Sequence, residues 1–115
     1  MTTKKTPSAP LRVRIGHRFY AVRYVETIEH EGVPCDGLCV YDSAEVLLFQ
    51  GLPPDAMAEK FLHEVLHALH WELGLSDDSD EEAFTNLVAK GLCRFHQDNP
   101  GATRWLLHSL KPPKD

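Results

Sequence analysis

The chain has 115 residues, 43% of them hydrophobic and 25% charged, with a formal net charge of −5. That is enough for one domain with one core, and too little for a second. Lys and Arg are spread out after the first few residues, which argues against a nucleic-acid or anionic-membrane surface, and no apolar run reaches the length of a membrane span.

Residues 1–10 are polar, end in Pro10, and read as a disordered tail. Their basic start lacks an apolar stretch of the kind a signal peptide needs, so a cytoplasmic location is expected. Leu11-Arg12-Val13-Arg14-Ile15 alternates apolar and basic, the pattern of a half-buried strand. Gly16-His17 is a turn, and residues 19–25 are a second, aromatic and β-branched strand, so a hairpin is expected. Residues 26–36 carry Gly32 and Pro34 and read as a loop. Residues 37–41 form a short strand, Asp42-Ser43-Ala44 a turn, and residues 45–49 a strand that Gly51-Leu52-Pro53-Pro54 ends.

A helix is expected from Pro54-Asp55, where proline is tolerated and an acid favours the dipole, to Leu73-Gly74, where glycine supplies a left-handed terminus. Residues 76–80 are an acidic loop. A second helix is expected over residues 80–97, with Phe84, Leu87, Val88, Gly91, Leu92 and Phe95 as its apolar stripe. Asn99-Pro100-Gly101 breaks it. Residues 103–110 make a short third helix with Trp105, Leu106 and Leu110 inward, and residues 111–115 are a tail. The fold class is therefore α+β: a small antiparallel sheet of about four strands packed on two or three helices, in one domain over residues 11–110.

The chemistry sits in the first helix. His63-Glu64-Val65-Leu66-His67 is an H-E-x-x-H pattern. Residues four apart share a helix face, so two imidazoles can hold one metal ion from a rigid base, with Glu64 beside them to take a proton from a metal-bound water. Leu62, Val65, Leu66, Leu69 and Leu73 flank the histidines, which predicts a helix buried on most of its circumference. The competing reading is a core helix with two satisfied histidines. A catalytic zinc takes three protein ligands, so a third must come from elsewhere. Glu81 lies about 60° from the centre of the second helix's stripe at ~100° per residue. Glu82 lies nearly opposite, and Ser79-x-x-Glu82 is a capping box that turns it back toward the backbone. The expected metal ligands are thus His63, His67 and Glu81, ahead of Glu82, with Glu64 as general base. His70 is expected to line the cleft or support the ligands; Tyr41 and His70 are both candidates for the oxyanion donor. His17, His30, His96 and His108 read as surface or packing residues. The three cysteines, Cys35, Cys39 and Cys93, suit neither a disulfide framework nor a zinc finger.

With these residues in view, the chain resembles the small prophage-type zinc metallopeptidases, and more loosely the ImmA/IrrE-type peptidases among zincins with a glutamate third ligand. The resemblance runs over residues 11–100. It rests on the opening strand pair, Gly37 with the strand at residues 46–49, His63-Glu64-Val65-Leu66-His67-Ala68, the acids Glu81 and Glu82, Gly91-Leu92 and Asp98-Asn99-Pro100. It implies zinc, peptide-bond hydrolysis of a peptide or protein substrate, and a strand at residues 46–49 lying as an edge along the cleft, where an extended substrate pairs. The alternative function is a non-catalytic, zinc-stabilised module that binds another protein.

Overall fold

The computed structural model describes residues 7–75 and 81–111, without the side chains of Glu81, Glu82, Ala83, Thr85 and Asn86. The expected acidic loop, most of the C-terminal tail and the first six residues of the N-terminal tail lie outside the described residues. The elements in chain order are β1 (Arg12–Ile15), β2 (Arg18–Val25), β3 (Glu29–His30), β4 (Val33–Pro34), β5 (Gly37–Val40), β6 (Glu45–Phe49), α1 (Pro54–Glu72), α2 (Glu81–Asp98) and α3 (Pro100–Ser109). The α+β class is as expected.

Two features of the sheet depart from expectation. Its order is β1-β2-β6-β5, and β2 runs parallel to β6, so the sheet is mixed and not antiparallel throughout. Consequently β6 is internal, flanked by β2 and β5. The edge expected at residues 46–49 is taken by β5 instead. The physical reason is burial. Val46 and Leu48 are fully buried, and a central strand removes more apolar surface from water than an edge does. The segment expected as a loop at residues 26–36 also contains a second, two-stranded sheet, β3 with β4. Pro34 fits there because proline is tolerated in an edge strand.

Strand parity defines the inner face. Val13 faces Tyr20, Val22 faces Val46, and Val46 faces Cys39 across the ladder. Gly37 aligns with Leu48, so Gly37 and Cys39 turn toward the same side as the buried Val46 and Leu48. Against that side lies α1, whose Met57, Ala58, Phe61, Val65, Ala68 and Leu69 are buried. Phe61 meets Trp105 of α3 edge to face at 5.5 Å and Phe95 of α2 at 6.2 Å, so one ring closes the core against both later helices.

Both ends of α1 behave as the sequence predicts. Pro54 stands in its first turn with Asp55. At the other end Gly74 has φ +67, its N–H donates to Trp71 O at 3.0 Å, and the N–H of Leu75 donates to His70 O at 3.1 Å. This pair of bonds is a Schellman terminus, which requires the left-handed residue that glycine supplies. Glu72, in the last turn, would oppose the helix dipole if left alone. Its side chain is only 2% exposed, and it accepts hydrogen bonds from Tyr20 Oη at 2.6 Å and Arg18 Nη1 at 3.3 Å. The end of α1 is thereby fastened to β2.

The later helices shift by a few residues. Pro100 does not separate α2 from a later helix but opens α3 directly, as proline does at a first helical position. Phe84 and Leu110, both expected inward, are exposed. At the N-terminal side, residues 7–10 do not stand clear of the domain: Tyr24 Oη donates to Pro10 O at 2.8 Å, and Ala9 packs on the core.

Candidate metal and catalytic site

The paired histidines stand on the open side of α1. His63 and His67 are exposed, and Leu66 on the same flank is 44% exposed. The expectation that α1 is buried on most of its circumference is therefore corrected: the sheet covers one face of it, and a groove runs past the other. Glu64, one step from His63, turns the other way and is 5% exposed. A helix advances about 100° per residue, so H-E-x-x-H sets two imidazoles facing solvent and a carboxylate at the boundary of the core.

The two imidazoles converge. Their Nε2 atoms lie 3.1 Å apart, and the ring centroids are 4.7 Å apart with planes at 74°. Two nitrogens at that spacing, each about 2.05 Å from one zinc ion, would subtend about 98°, close to a tetrahedral angle. Ligation through Nε2 requires both rings to carry their proton on Nδ1. The arrangement therefore fits a zinc ion on two of its ligands. The expected third ligand, Glu81, and its rival Glu82 open α2, but their side chains lie outside the described residues, as does the capping residue Ser79. Among the described residues, no group of three His, Cys, Asp or Glu side chains is placed to hold a metal ion.

A hollow of about 370 Å³ lies over this face, walled by α1 through Lys60, His63, Glu64 and His67, by β5 through Gly37, Leu38 and Cys39, by Tyr41, and by His30, Cys35 and Asp36 from the hairpin side. Gly37 is needed for the close approach of β5 to α1. A Cβ added there would meet Lys60 Cγ at 2.7 Å and Glu64 Oε2 at 3.0 Å. Burial raises the Glu64 carboxyl above the usual carboxylate range, opposed in turn by the charges of His67, His63 and Lys60. Burial likewise pushes the Cys39 thiol up to about 12, with the charges of Glu64 and Glu72 adding and Arg18 opposing, so at neutral pH this thiol is protonated and a poor ligand.

The open edge of the sheet borders the same hollow. Phe49 N–H donates to Asp36 O at 2.9 Å, which fixes the phase of the β5–β6 ladder. Antiparallel alternation then assigns Leu38 and Val40 to β6 and turns the backbone N–H and C=O of Gly37 and Cys39 outward. Among the described residues, β5 has β6 as its one ladder partner.

Of the expected site residues, His63, His67, Glu64 and Tyr41 come together around this hollow. His70 does not. It faces Phe84, with ring centroids 5.8 Å apart, and lies away from the hollow's walls. Several wall residues carry no site role in the sequence reading. Lys60 had a readable signal, since 60, 63 and 67 are spaced as one helix face. His30 had none, because its position over the groove depends on the fold of the β3–β4 hairpin. Gly37 had none locally either, because its neighbour Lys60 is 23 residues away in the chain.

No family model matches this sequence, and neither a curated protein nor a solved structure matches it.

Proposed function

We propose that this chain is a zinc-dependent metallopeptidase of the H-E-x-x-H type. The observation that carries the proposal is the convergence of His63 and His67 Nε2, 3.1 Å apart, beside a buried carboxylate and a strand edge that is unpaired among the described residues. His63 and His67 would hold the zinc, with Glu81 as third ligand. When bound, zinc supplies Lewis acidity, lowering the pKa of a water toward 7 and polarising a carbonyl.

The remaining work belongs to the chain's own residues. A peptide laid along β5 accepts and donates hydrogen bonds at Gly37 and Cys39, which fixes an extended backbone beside α1. Glu64, which lines the hollow with Oε2 beside Gly37, accepts the proton of the attacking water. Once protonated, the same carboxyl can return the proton to the leaving amine nitrogen. Tyr41, whose hydroxyl burial keeps protonated, is the oxyanion donor favoured by position, because His70 faces elsewhere.

A closed site that merely supports folding is the other reading. The exposure of both histidines toward a groove weighs against it, since structural zinc sites are enclosed by four protein ligands. The three free thiols suit a reducing compartment such as the cytoplasm.

Glu64→Gln is the deciding variant. It should retain one equivalent of zinc and lose the Glu64-dependent cleavage of candidate proteins, read as new peptide ends by mass spectrometry. The absence of any new end that depends on Glu64 in zinc-loaded wild type would overturn the peptidase reading in favour of the binding module.

A further inference from the structure

We propose that Trp71, stacked on Tyr41, is a specificity-determining residue that receives an aromatic or large aliphatic side chain of the bound peptide, two or three residues on the N-terminal side of the bond to be cut. This rests on the metallopeptidase reading and adds a substrate preference to it.

The groove does not end at the histidines. A second hollow of about 340 Å³ adjoins it, with Trp71 among its walls. The two hollows share His30, Leu38, Cys39 and Tyr41 as walls, so they are neighbouring lengths of one channel. Trp71 is 56% exposed, although it lies one helical turn beyond His67 on the face that borders the channel. An exposed tryptophan at a groove rim is costly to leave in water and is characteristic of binding sites.

Its position is fixed in advance. The rings of Tyr41 and Trp71 lie 4.7 Å apart at 13°. Tyr41 is itself anchored, because its carbonyl accepts hydrogen bonds from Arg18 Nη2 at 3.0 Å and from the N–H of Ala44 at 3.2 Å. One face of the indole is thus occupied and the ring is held, so an incoming side chain does not have to order it.

The distance and direction follow from the two elements. Gly37 lies against Lys60 and Glu64, and Tyr41 against Trp71, so β5 and α1 run in the same sense. From the middle of the His63–His67 turn to Trp71 is six residues of helix, about 9 Å at 1.5 Å each. An extended chain covers that in two or three residues at about 3.4 Å each. A peptide pairing antiparallel to β5 runs from the Tyr41 end to the Gly37 end, so the residue at Trp71 precedes the reacting carbonyl.

The test uses peptides anchored at the metal, so that register is known. Alanine peptides ending in a C-terminal hydroxamate carry one phenylalanine at the first, second, third or fourth residue before that group. Their binding to the zinc-loaded full chain is measured by calorimetry, with acetohydroxamate as reference. The expected result is affinity about tenfold higher, or ~1.4 kcal/mol, with phenylalanine at the second or third position. Trp71→Ala should reduce this preference to less than about twofold, and Trp71→Phe should restore most of it. Equal affinity at all four positions, or a preference that survives Trp71→Ala, would overturn this inference while leaving the peptidase reading intact. Failure of acetohydroxamate and of every peptide to bind would reject the metal site, and this inference with it.

Discussion

Asn99 and Arg14 are joined as two paired strands would be. The backbone N–H of Arg14 donates to Asn99 Oδ1 at 2.8 Å, and Asn99 Nδ2 donates back to Arg14 O at 2.8 Å. The same Nδ2 reaches Phe95 O at 2.8 Å. A side-chain amide thus stands in for a strand at the β1 edge of the sheet, blunts that edge against pairing with another chain, and ties it to the junction of α2 and α3. Asn99 is 9% exposed; its bond to Phe95 O is buried and the two to Arg14 are partly so.

Asn99→Ala should therefore be among the most destabilising single changes outside the core. Removing the amide leaves backbone groups of Arg14 and Phe95 without their partner, at a cost of about 2–3 kcal/mol. For a domain of this size the melting temperature should fall by on the order of 10 °C. Urea unfolding of the purified variant is the check, and a loss below about 0.5 kcal/mol would show that the strand-like pairing does not contribute.

Zinc binding should depend on both histidines and on the start of α2. His67→Ala should abolish stoichiometric zinc, and Glu81→Ala should weaken binding far more than Glu82→Ala. Metal content after dialysis and competition with a chromophoric chelator give both values. Full occupancy in His67→Ala, or a larger effect at Glu82, would contradict the ligand set.

Gly37→Ala separates activity from stability. The added methyl would meet Lys60 Cγ at 2.7 Å and Glu64 Oε2 at 3.0 Å. The lysine stem is flexible and can move aside, so the stability loss should stay near 1 kcal/mol. The carboxylate must shift as well, and a base displaced by a few tenths of an ångström should lower kcat by tenfold or more. An unchanged kcat would show that Glu64 has room to spare.

Alkali should loosen the fold through groups that the fold keeps protonated. Cys39 is raised from 9.0 to about 12, and burial also raises Tyr20 and Tyr24 above 10.0. A group whose pKa is higher folded than unfolded favours the folded state fully below the unfolded value and loses that contribution as pH climbs toward the folded one. Stability should thus be flat near pH 8 and fall from about pH 9 upward. Cys39→Ala should delay the start of that fall toward pH 10. At pH 8 iodoacetamide should modify the exposed Cys93 well before Cys39, as mass mapping of the alkylated protein would reveal.

How far the sequence could be read depended on the range of the interaction. The bounds of α1 were legible because proline, glycine and apolar period act within a few residues, and Pro54 and Gly74 mark them almost to the residue. The strands were legible one by one, but their order was not. Nothing local to residues 45–49 says that β2 is a parallel neighbour, and the family resemblance implies an edge there that the fold gives to β5. The histidine pair was legible, while its exposure was not, because Leu66, one of the apolar residues that flank it in sequence, stays exposed to water. Asn99 had a different fate: its place in Asp98-Asn99-Pro100 marks a helix break, yet two of its three side-chain hydrogen bonds reach a strand 85 residues away, the third staying within α2 at Phe95.

The helix that carries His63, Glu64 and His67 also supplies the centre of the core, through Phe61, Val65, Ala68 and Leu69. The two histidines therefore have no hinge of their own. Backbone amides from 61 to 69 belong to the last part of the molecule to open, and their hydrogen exchange should require unfolding of the whole chain. The paired geometry of His63 and His67 is then all or nothing: heating toward the midpoint changes the number of folded molecules, and leaves each remaining one as well formed as before.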